Sequence, residues 1–423
     1  MRAQTAQVVA ISLDPTQNLT SGIVSGSHKL PAGLPQLVWA DGAPWREANV
    51  WLLSRWNAGL EAETLRKDAQ LVGAYAKWIE EASLAWHYLP LRKEERVLNR
   101  YRQHLLSLRA AGELAASTAT HRMRAVISLY RWLADEQLLS AKWPLWEDRA
   151  FGVRITTDFG LQRSISVTTS SLAIKNKRHP GYRLEGGVLP VSAILRTQIL
   201  EWARAHAPTE LFLMLACGFF TGMRTGSICD LRIGTLTNAA RDSKLNSFVY
   251  LAIGPGATPQ VHTKFGVTGQ VIMPTTLFDE LLSYVESPTR LKRVSRAAET
   301  DRDRVFLTSA GRSYAAKSPG HGATVSVLMS RLRRDAAKVG IDLGGFHFHQ
   351  TRATFATEVA ETALRSGLRL NAISIVKDLL LHAHEATSLR YIRFVEDEKL
   401  KAEIGNDFSR AFLNEAMMPK TYD

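Results

Sequence analysis

The sequence predicts a mainly α-helical protein that carries a small β-sheet and contains more than one domain. Apolar residues recur at three- and four-residue steps through much of 45–139, the period of helices with one buried face. Two short apolar runs within 248–274, separated by a Gly-Pro-Gly turn, predict one β-hairpin. At about 100–200 residues per domain, the length of 423 residues fits two or three domains.

Changes in composition divide the chain into five segments. We expect an N-terminal arm without an assigned role, an α-helical domain, a linker rich in Gly and Pro, a larger mixed α/β domain, and a C-terminal helix or tail. In that order, their bounds are 1–44, 45–145, 146–187, 188–405 and 406–423.

Three amphipathic helices justify the first domain. Thr64 can cap a helix that buries Leu65, Ala69, Val72, Tyr75, Ala76 and Ile79. A second helix carries Leu98, Tyr101, Leu105 and Leu108. A third begins near Ser117 or Thr118 and carries Met123, Val126, Ile127, Tyr130 and Leu133.

Positive charge is in clear excess. The formal net charge is +13 and the pI is about 9.8, values that favour a polyanionic partner such as DNA. Basic side chains concentrate on two of the predicted helices and at one short cluster in the linker. The DNA-contacting candidates are Arg96, Arg100, Arg122, Arg124, Lys175, Lys177 and Arg178. A solvated helix face is the alternative interpretation of the same charges.

Other features indicate a cytoplasmic protein with no membrane segment. Cys217 and Cys229 are the only cysteines, which excludes a disulfide scaffold and a four-cysteine zinc module. The first 20 residues lack the apolar core of a secretory signal. The longest apolar run, 211–220, is too short to span a bilayer and predicts a buried helix.

Four separated motifs in the larger domain carry candidate chemistry. They are Thr-Gly-Met-Arg-Thr-Gly at 221–226, His-Thr-Lys-Phe-Gly at 262–266, His-Gln-Thr-Arg-Ala-Thr-Phe-Ala-Thr at 349–357, and Leu-Leu-Leu-His at 379–382. Tyr391 follows the last histidine by nine residues. Each motif alone has an ordinary structural explanation, so the signal is their order and spacing.

This combination resembles the tyrosine recombinase, or phage-integrase-like, family. The resemblance covers roughly 61–400 and implies an α-helical core-binding domain followed by a mixed α/β catalytic domain. It implies a site-specific DNA recombinase that cuts and rejoins DNA through a 3′-phosphotyrosine, in the integration, excision or resolution of a mobile element. The implied catalytic set is Arg224, Lys264, His349, Arg352, His382 and Tyr391.

The resemblance also implies a role for each residue. Arg224 and Arg352 would clamp the scissile phosphate, and Tyr391 would attack it. Lys264 would protonate the leaving 5′-oxygen, and His349 would act as base or proton relay, while His382 would hydrogen-bond the phosphate. Guanidinium forks suit the charge that gathers on phosphate oxygens, and a tyrosine hydroxyl with a pKa near 10 requires activation. Neither a metal ion nor a cofactor is required.

Three departures from the family pattern concern residues beside the predicted site. Ser227 stands where a carboxylate often follows the first arginine, so the support of Arg224 is in question. Thr351 and Ala353 flank Arg352 in place of Leu and His. Leu381 replaces the glycine before the second histidine, which predicts a different backbone path into His382.

Other functions and assemblies remain open at the level of sequence. Two His-x-His pairs, His347 with His349 and His382 with His384, could ligate zinc. A DNA-binding accessory protein with little catalysis and a type IB topoisomerase-like enzyme are further alternatives. The resemblance implies tetramers on double-stranded DNA, with accessory recombinases as possible partners. We expect a helix capped by Asn406 or Asp407 to dock on a neighbouring subunit.

Overall fold

The computed structural model describes residues 8–9, 34–156, 162–176, 184–241, 247–315, 322–367 and 369–408. Within these residues the chain forms fourteen α-helices and seven β-strands, the longest sheet having three strands. The predicted fold class, mainly α with a small sheet, is therefore confirmed. The chain divides into two compact units, Met1–His179 and Pro180–Asp423. None of the described helices is long and apolar enough to cross a membrane.

The N-terminal unit consists of four α-helices and two antiparallel strand pairs. Its elements are β1 (Val8–Val9), β2 (Gln36–Leu37), α1 (Arg46–Asn57), α2 (Ala62–Glu81), α3 (Val97–Ala110), α4 (Ala116–Asp135), β3 (Asp148–Thr156) and β4 (Gln162–Ser170). Strand β1 pairs with β2, and β3 pairs with β4. Helix α2 begins at Ala62, three residues earlier than predicted, because Glu61 and not Thr64 occupies the N-cap position.

The core of the N-terminal unit forms where the apolar periods of its helices coincide. All six apolar residues predicted for the face of α2 are buried, as are those of α4. Tyr75 and Tyr130 meet inside this core with their hydroxyl oxygens 2.6 Å apart. The Tyr130 hydroxyl also donates to the Trp86 carbonyl, which satisfies its donor away from water.

A β-hairpin occupies much of the segment predicted as a linker. Residues 146–187 contain β3 and β4, which pair in a register that places Phe151 opposite Val167 and Val153 opposite Ile165. The runs are rich in β-branched and aromatic residues, which favour extended backbone. Gly and Pro are frequent around these runs, and that composition is typical of a linker. The strands are therefore not predicted from the turn residues alone.

The C-terminal unit contains ten α-helices and a three-stranded antiparallel sheet. Its elements are α5 (Ala193–His206), α6 (Thr209–Thr221), α7 (Thr225–Cys229), α8 (Ile233–Thr237), β5 (Ala240–Arg241), β6 (Phe248–Ile253), β7 (Gly269–Pro274), α9 (Thr275–Glu286), α10 (Pro288–Val294), α11 (Gly322–Ala337), α12 (His349–Arg365), α13 (Arg369–Leu380) and α14 (Glu385–Phe408). The strand order is β5-β6-β7.

Helix α6 lies at the centre of this unit. Its residues from Glu210 to Phe219 are all buried, so the long apolar run does form the buried helix that the sequence predicts. The predicted hairpin is present as β6 and β7, which pair Val249 with Met273 and Leu251 with Val271. A second cluster of buried side chains joins α12, α13 and α14, and it includes Tyr391.

The end of the described chain differs from the prediction. Helix α14, which carries Tyr391, continues through Gly405 to Phe408. No new helix therefore begins at Asn406 or Asp407, because both positions lie inside α14. The rest of the predicted C-terminal helix, 409–423, lies outside the described residues.

Candidate active site

The turn after α6 positions Arg224. Gly222 ends α6 in the left-handed conformation, with φ +67°, and its N–H donates to the Gly218 carbonyl. A glycine adopts this conformation without the steric cost that a Cβ atom brings. The chain then runs extended through Arg224, the residue immediately before α7. The Thr-Gly turn thus ends the buried helix α6 and places Arg224 just beyond its C-terminal end.

Arg352 lies in the first turn of α12 and is almost fully buried. Its Nη1 donates to the Gly222 carbonyl at 2.6 Å, and its Nη2 donates to the Leu380 carbonyl at 2.9 Å. These two bonds hold the guanidinium between the end of α6 and the end of α13. The α12 helix can approach α6 closely because a Cβ atom at Gly218 would lie only 2.3 Å from Thr351 Oγ1.

His382 follows α13 and is also buried. The residue before it, Leu381, has a φ of +51°, in the left-handed region that favours glycine. The different backbone path predicted from Leu381 is therefore wrong, since the chain takes a glycine-like turn there despite the side chain. That side chain packs over β7, where a Cβ atom at Gly269 would lie 2.4 Å from Leu381 Cδ2.

Tyr391 lies in the second turn of α14, and its ring stacks on that of His382. The two ring centroids are 5.9 Å apart and the planes differ by 11°. The residue is fully buried, and its hydroxyl makes no well-formed hydrogen bond within the described part of the chain. Burial raises the pKa of Tyr391 to about 12; the charge of Glu185 adds to the rise, and that of Arg352 opposes it.

Glu185 is the anion on which this site converges. Its Oε1 accepts from Arg224 Nη2 at 2.5 Å and from Arg224 Nε at 3.2 Å. Its Oε2 accepts from Arg352 Nε at 3.1 Å and lies 3.3 Å from His382 Nε2. One carboxylate therefore binds two arginines and a histidine that are far apart in the sequence.

The hydrogen bonds fix the tautomer of His382. An ionised carboxylate can only accept, so His382 Nε2 must carry the proton that it shares with Glu185. His382 Nδ1 then accepts from the hydroxyl of Ser388, which is buried 2.8 Å away in α14. Burial lowers the pKa of His382, which favours this neutral ring, although the bond to Glu185 opposes the shift.

The segment before α5 is anchored on α12 and so holds Glu185 in place. Gln350 Nε2 donates to the Leu189 carbonyl at 3.0 Å, and the Val191 N–H donates to Thr354 Oγ1 at 3.0 Å. Leu184 is buried in the same apolar cluster as Tyr391. The backbone on both sides of Glu185 thus belongs to the packed structure of the C-terminal unit.

The balance of charges keeps Glu185 ionised. Burial alone would raise its pKa, but the hydrogen bond from His382 and the positive charges of Arg352 and Arg224 outweigh burial. They hold the pKa of Glu185 well below its usual range. The carboxylate is therefore negative at neutral pH.

His349 is coupled electrostatically to this group and to Lys264. Burial lowers the pKa of His349, the Glu185 charge opposes that shift, and the charges of Arg352, Arg224 and Lys264 reinforce it. Lys264 lies on the connection between β6 and β7, where its side chain is exposed. Its Nζ atom is 5.0 Å from the ring centroid of Phe265. The charge of Lys264, on an exposed loop, thus contributes to the lowered pKa of His349.

The connection that carries Lys264 is tied to the end of α7. Asp230 Oδ2 accepts from the His262 N–H at 2.6 Å, and Asp230 Oδ1 accepts from buried Arg304. This places a short, firmly bonded anchor two residues before Lys264. The loop that carries the exposed Lys264 is therefore attached to the core close to the lysine.

The structure thus brings Arg224, Arg352 and His382 together on one carboxylate, with Tyr391 against His382. Sequence reasoning did not find Glu185 or Ser388. Glu185 lies among glycines in a segment predicted as a linker, and no spacing rule relates it to the motifs. The carboxylate beside Arg224 therefore comes from another part of the chain and not from position 227.

The histidine pairs do not form a metal site within the described residues. No group of three or more His, Cys, Asp or Glu side chains there could hold a metal ion. His347 is exposed and lies beside Arg333, with 3.4 Å between Arg333 Nη1 and His347 Nδ1. His382 is buried and uses both ring nitrogens in the bonds described above.

The DNA-contacting candidates of the N-terminal unit differ in their exposure to solvent. Arg100, Arg124 and Lys175 are exposed, and Arg122 is half-buried. None of the three arginines has an ion-pair partner among the described residues. Lys177 and Arg178 lie outside the described residues.

Arg96 requires a correction. Its side chain is buried, and its three guanidinium nitrogens donate to the carbonyls of Pro90, Leu91 and Pro144 at 2.8–3.2 Å. Arg96 therefore ties together loops of its own unit, and its donors are not available to a DNA phosphate. The sequence shows only its charge, which is why it resembled its exposed neighbours.

Solved structures with a similar architecture exist, although comparisons at the level of sequence find no match. No protein-family model matches the sequence, and no curated protein sequence matches it. Among solved structures, the Tn1549 transposon integrase in complex with circular intermediate DNA is similar with a TM-score of 0.50 at 12% identity, over 84% of this chain and 98% of that one. A lambda integrase dimer bound to a COC′ core site matches with a TM-score of 0.47 at 15% identity, over 82% and 94%.

The chain therefore has the fold of an integrase. The resemblance to tyrosine recombinases that the motifs predict is confirmed at the level of the fold.

Proposed function

We propose that this protein is a site-specific DNA recombinase that breaks and rejoins DNA through a 3′-phosphotyrosine. The observation that carries the proposal is the convergence of Arg224, Arg352 and His382 on one anion, with Tyr391 stacked on His382. A phosphodiester is the anion for which two guanidinium forks and an imidazole N–H are well suited. Double-stranded DNA is therefore the proposed partner.

The proposed mechanism assigns one step to each group. Arg224 and Arg352 bind the non-bridging oxygens and stabilise the charge that grows on them during attack. The Tyr391 oxygen forms a bond to phosphorus while the bond to the 5′-oxygen breaks. Lys264 gives a proton to that 5′-oxygen. The reverse attack by a 5′-hydroxyl restores a phosphodiester and releases the tyrosine.

The proton of Tyr391 requires an acceptor. His349 is the proposed base, because its lowered pKa leaves the ring neutral at physiological pH. His382 donates from Nε2 and so acts as a hydrogen-bond donor to the phosphate, not as the base. The bond energy is kept in the phosphotyrosine, so the cycle consumes neither a metal ion nor a cofactor.

The similarity to the Tn1549 transposon integrase, whose structure contains bound DNA, supports DNA as the partner of this chain and a role in moving a mobile element. We propose a cytoplasmic location for this activity. Tetramers on paired sites, and accessory recombinases, belong to the same proposal.

A suicide substrate tests the proposal directly. The DNA that flanks the coding region is sequenced first to find candidate sites, and each candidate is synthesised with a nick that traps cleavage. We expect the wild-type protein to form a covalent band on one such site, and Tyr391→Phe to form none while it binds the same DNA. Equal covalent yield from Tyr391→Phe would refute the assignment of the nucleophile.

A second assay separates the proposed function from that of a topoisomerase. A recombinase acts at one sequence and pairs two duplexes. Relaxation of any supercoiled plasmid, irrespective of sequence and by the wild type but not by Tyr391→Phe, would instead indicate a type IB topoisomerase-like enzyme. DNA binding without a covalent band at any site would indicate an accessory protein.

A further inference from the structure

Glu185 uses the same donors that the proposed function gives to the scissile phosphate. Arg224 donates to it from two nitrogens, Arg352 from Nε, and His382 from Nε2. The other nitrogens of Arg352 donate to backbone carbonyls. Every group proposed to hold the phosphate oxygens is therefore already bonded to one internal carboxylate.

We propose that the Glu185 carboxylate occupies the phosphate position of the DNA-free protein and leaves when a phosphate binds. The inference rests on the proposed function for the identity of the natural ligand. The site itself is assigned more generally, as one that accepts a tetrahedral oxyanion in exchange for a carboxylate. No motif and no comparison assigns this role to Glu185.

Charge makes simultaneous occupation unfavourable. Glu185 is ionised, and a phosphate bound to the same nitrogens would put a second anion within a few ångströms of it. Like charges at that distance repel strongly when both are partly buried. Attack by tyrosine would add a further negative charge to the phosphate, so the carboxylate opposes the reaction more than it opposes binding.

Departure of the carboxylate does not require the segment to unfold. The bonds from Gln350 to Leu189 and from Val191 to Thr354 hold the backbone on one side. Leu184 holds it on the other by its burial with Tyr391. Rotation about the side-chain bonds of Glu185 is sufficient to free Arg224, Arg352 and His382.

A supporting role for Glu185 is the competing explanation. A carboxylate that positions Arg224 throughout the reaction would be needed for phosphate binding and cleavage. The geometry favours exchange of the carboxylate for a phosphate. Glu185 bonds to both arginines and the histidine at once, and it therefore occupies the position between them that a phosphate would need. The two explanations predict opposite effects of removing the charge.

Binding of inorganic phosphate distinguishes the two explanations without DNA. Isothermal calorimetry on the full-length chain would compare wild type, Glu185→Gln and Glu280→Gln at pH 7.5. Glu280 is the matched control because it also accepts two bonds from an arginine, at 2.8 and 2.9 Å from Arg204 Nη2, away from the site. We expect Glu185→Gln to bind phosphate at least about tenfold more tightly than wild type and the control.

Two further variants keep the test decisive. Arg352→Ala added to Glu185→Gln should abolish the gain, which locates the phosphate at this site. If Glu185→Gln does not fold, Glu185→Asp retains the charge but is too short to reach all three partners, and we expect it to bind phosphate more tightly than wild type. Phosphate affinity equal to or weaker than that of wild type in the folded variant would overturn the proposal.

The suicide substrate separates this inference from the proposed function. Tighter phosphate binding by Glu185→Gln, with no covalent band from any variant, would support the exchange and refute recombination. A covalent band from wild type that Glu185→Gln loses, without a gain in phosphate binding, would support recombination and refute the exchange. If both proposals hold, Glu185→Gln should form the covalent complex faster than wild type.

Discussion

The surroundings of Tyr391 do not favour the nucleophilic attack that the proposed function gives to this residue. Its hydroxyl is buried without a well-formed hydrogen bond among the described residues, and its pKa is raised to about 12. Burial is the largest cause and the Glu185 charge is the next. Under the two proposals, exchange of that carboxylate for a phosphate would change the electrostatic field at the Tyr391 hydroxyl when the phosphate binds.

Lys264 gives a residue-scale prediction about the leaving group. We expect Lys264→Ala to lower the rate of covalent complex formation on an ordinary nicked substrate by about 10²–10⁴-fold, the usual size of a general-acid effect. A 5′-bridging phosphorothiolate needs no proton to leave, so the variant should cleave it at a rate close to wild type. Failure of this rescue would move the general-acid role to another residue.

The buried histidines give a prediction about pH. The pKa values of His349 and His382 are lowered in the folded state, mainly by burial, whereas an unfolded histidine titrates near pH 6.5. The unfolded chain therefore binds more protons below about pH 6.5, so folding stability should fall as the pH drops below that value. The lowered pKa of Glu185 acts only in a more acidic range.

Urea unfolding at pH 7.5 and pH 5.5 would measure this effect. Because pH 5.5 lies about one unit below the unfolded pKa, the loss of stability should reach at most about 1.4 kcal/mol for each histidine that stays neutral in the folded state. A His349→Gln, His382→Gln double variant should show a flatter dependence. Equal wild-type stability at the two pH values would contradict the burial of neutral imidazoles.

At the scale of elements, the site is a meeting of helix ends. The C-terminal end of α6 supplies Gly222, the first turn of α12 supplies Arg352, the end of α13 leads to His382, and α14 supplies Tyr391. Two left-handed residues, Gly222 and Leu381, turn the chain at two of these ends. Small errors in how these helices pack would therefore separate groups that the proposed function assigns to one phosphate.

Gly222 offers a direct test of that packing. A Cβ atom there would lie 2.4 Å from Phe355 Cδ1 and 3.2 Å from Leu380 Cδ2. Gly340 has a similar φ of +80° with nothing within 4 Å, so Gly340→Ala isolates the backbone cost. We expect Gly222→Ala to lower the free energy of unfolding by about 1–3 kcal/mol more than Gly340→Ala, the usual cost of overpacking.

The same pair of variants should differ in function. Gly222→Ala would displace the carbonyl that accepts from Arg352, so its covalent yield on the suicide substrate should fall, whereas Gly340→Ala should resemble wild type. Urea unfolding and gel analysis of the covalent band check the two results. Equal destabilisation by the two substitutions would show that α12 and α13 adjust to the added atom.

Helices α3 and α4 provide a matched pair of arginines. Arg124 is exposed on α4, whereas Arg96, the residue before α3, is buried. If Arg124 contacts a phosphate, Arg124→Ala should weaken DNA binding and reduce the slope of log K against log salt by about 0.9. Arg96→Ala should lower stability and leave that slope unchanged, because its donors serve backbone carbonyls. Fluorescence anisotropy over a salt series measures both slopes.

For the whole molecule, each compact unit has its own hydrophobic core. Leu129 is fully buried in the core of the N-terminal unit, and Leu213 is fully buried in that of the C-terminal unit. We expect Leu129→Ala and Leu213→Ala each to lower the stability of one unit by about 2–5 kcal/mol.

Separately expressed fragments 1–179 and 180–423 would assign the transitions. In the full-length chain, each substitution should shift the unfolding transition that the corresponding fragment shows alone, as followed by circular dichroism in urea. A single transition that both substitutions shift equally would indicate that the two units fold as one cooperative structure.

The sequence by itself determined several of the helices and the order of the chemical groups. The apolar period of α2 identified all six of its buried apolar residues, and the run at 211–220 identified the buried helix α6. These features are local, because a helix face is set by residues three and four positions apart. The family resemblance that the motifs carry likewise implied Arg224, Arg352, His382 and Tyr391 as members of one set, and the fold brings these four residues together.

Only the tertiary structure decided what these groups bind. Glu185 meets Arg224 across 39 residues, Arg352 across 167 and His382 across 197, and no local pattern encodes such contacts. The same holds for Arg96, whose charge suggested DNA and whose burial assigns it to backbone carbonyls. Charge and residue type are properties of the sequence, but the partner of a charge depends on which distant segments the packed core brings within hydrogen-bond distance.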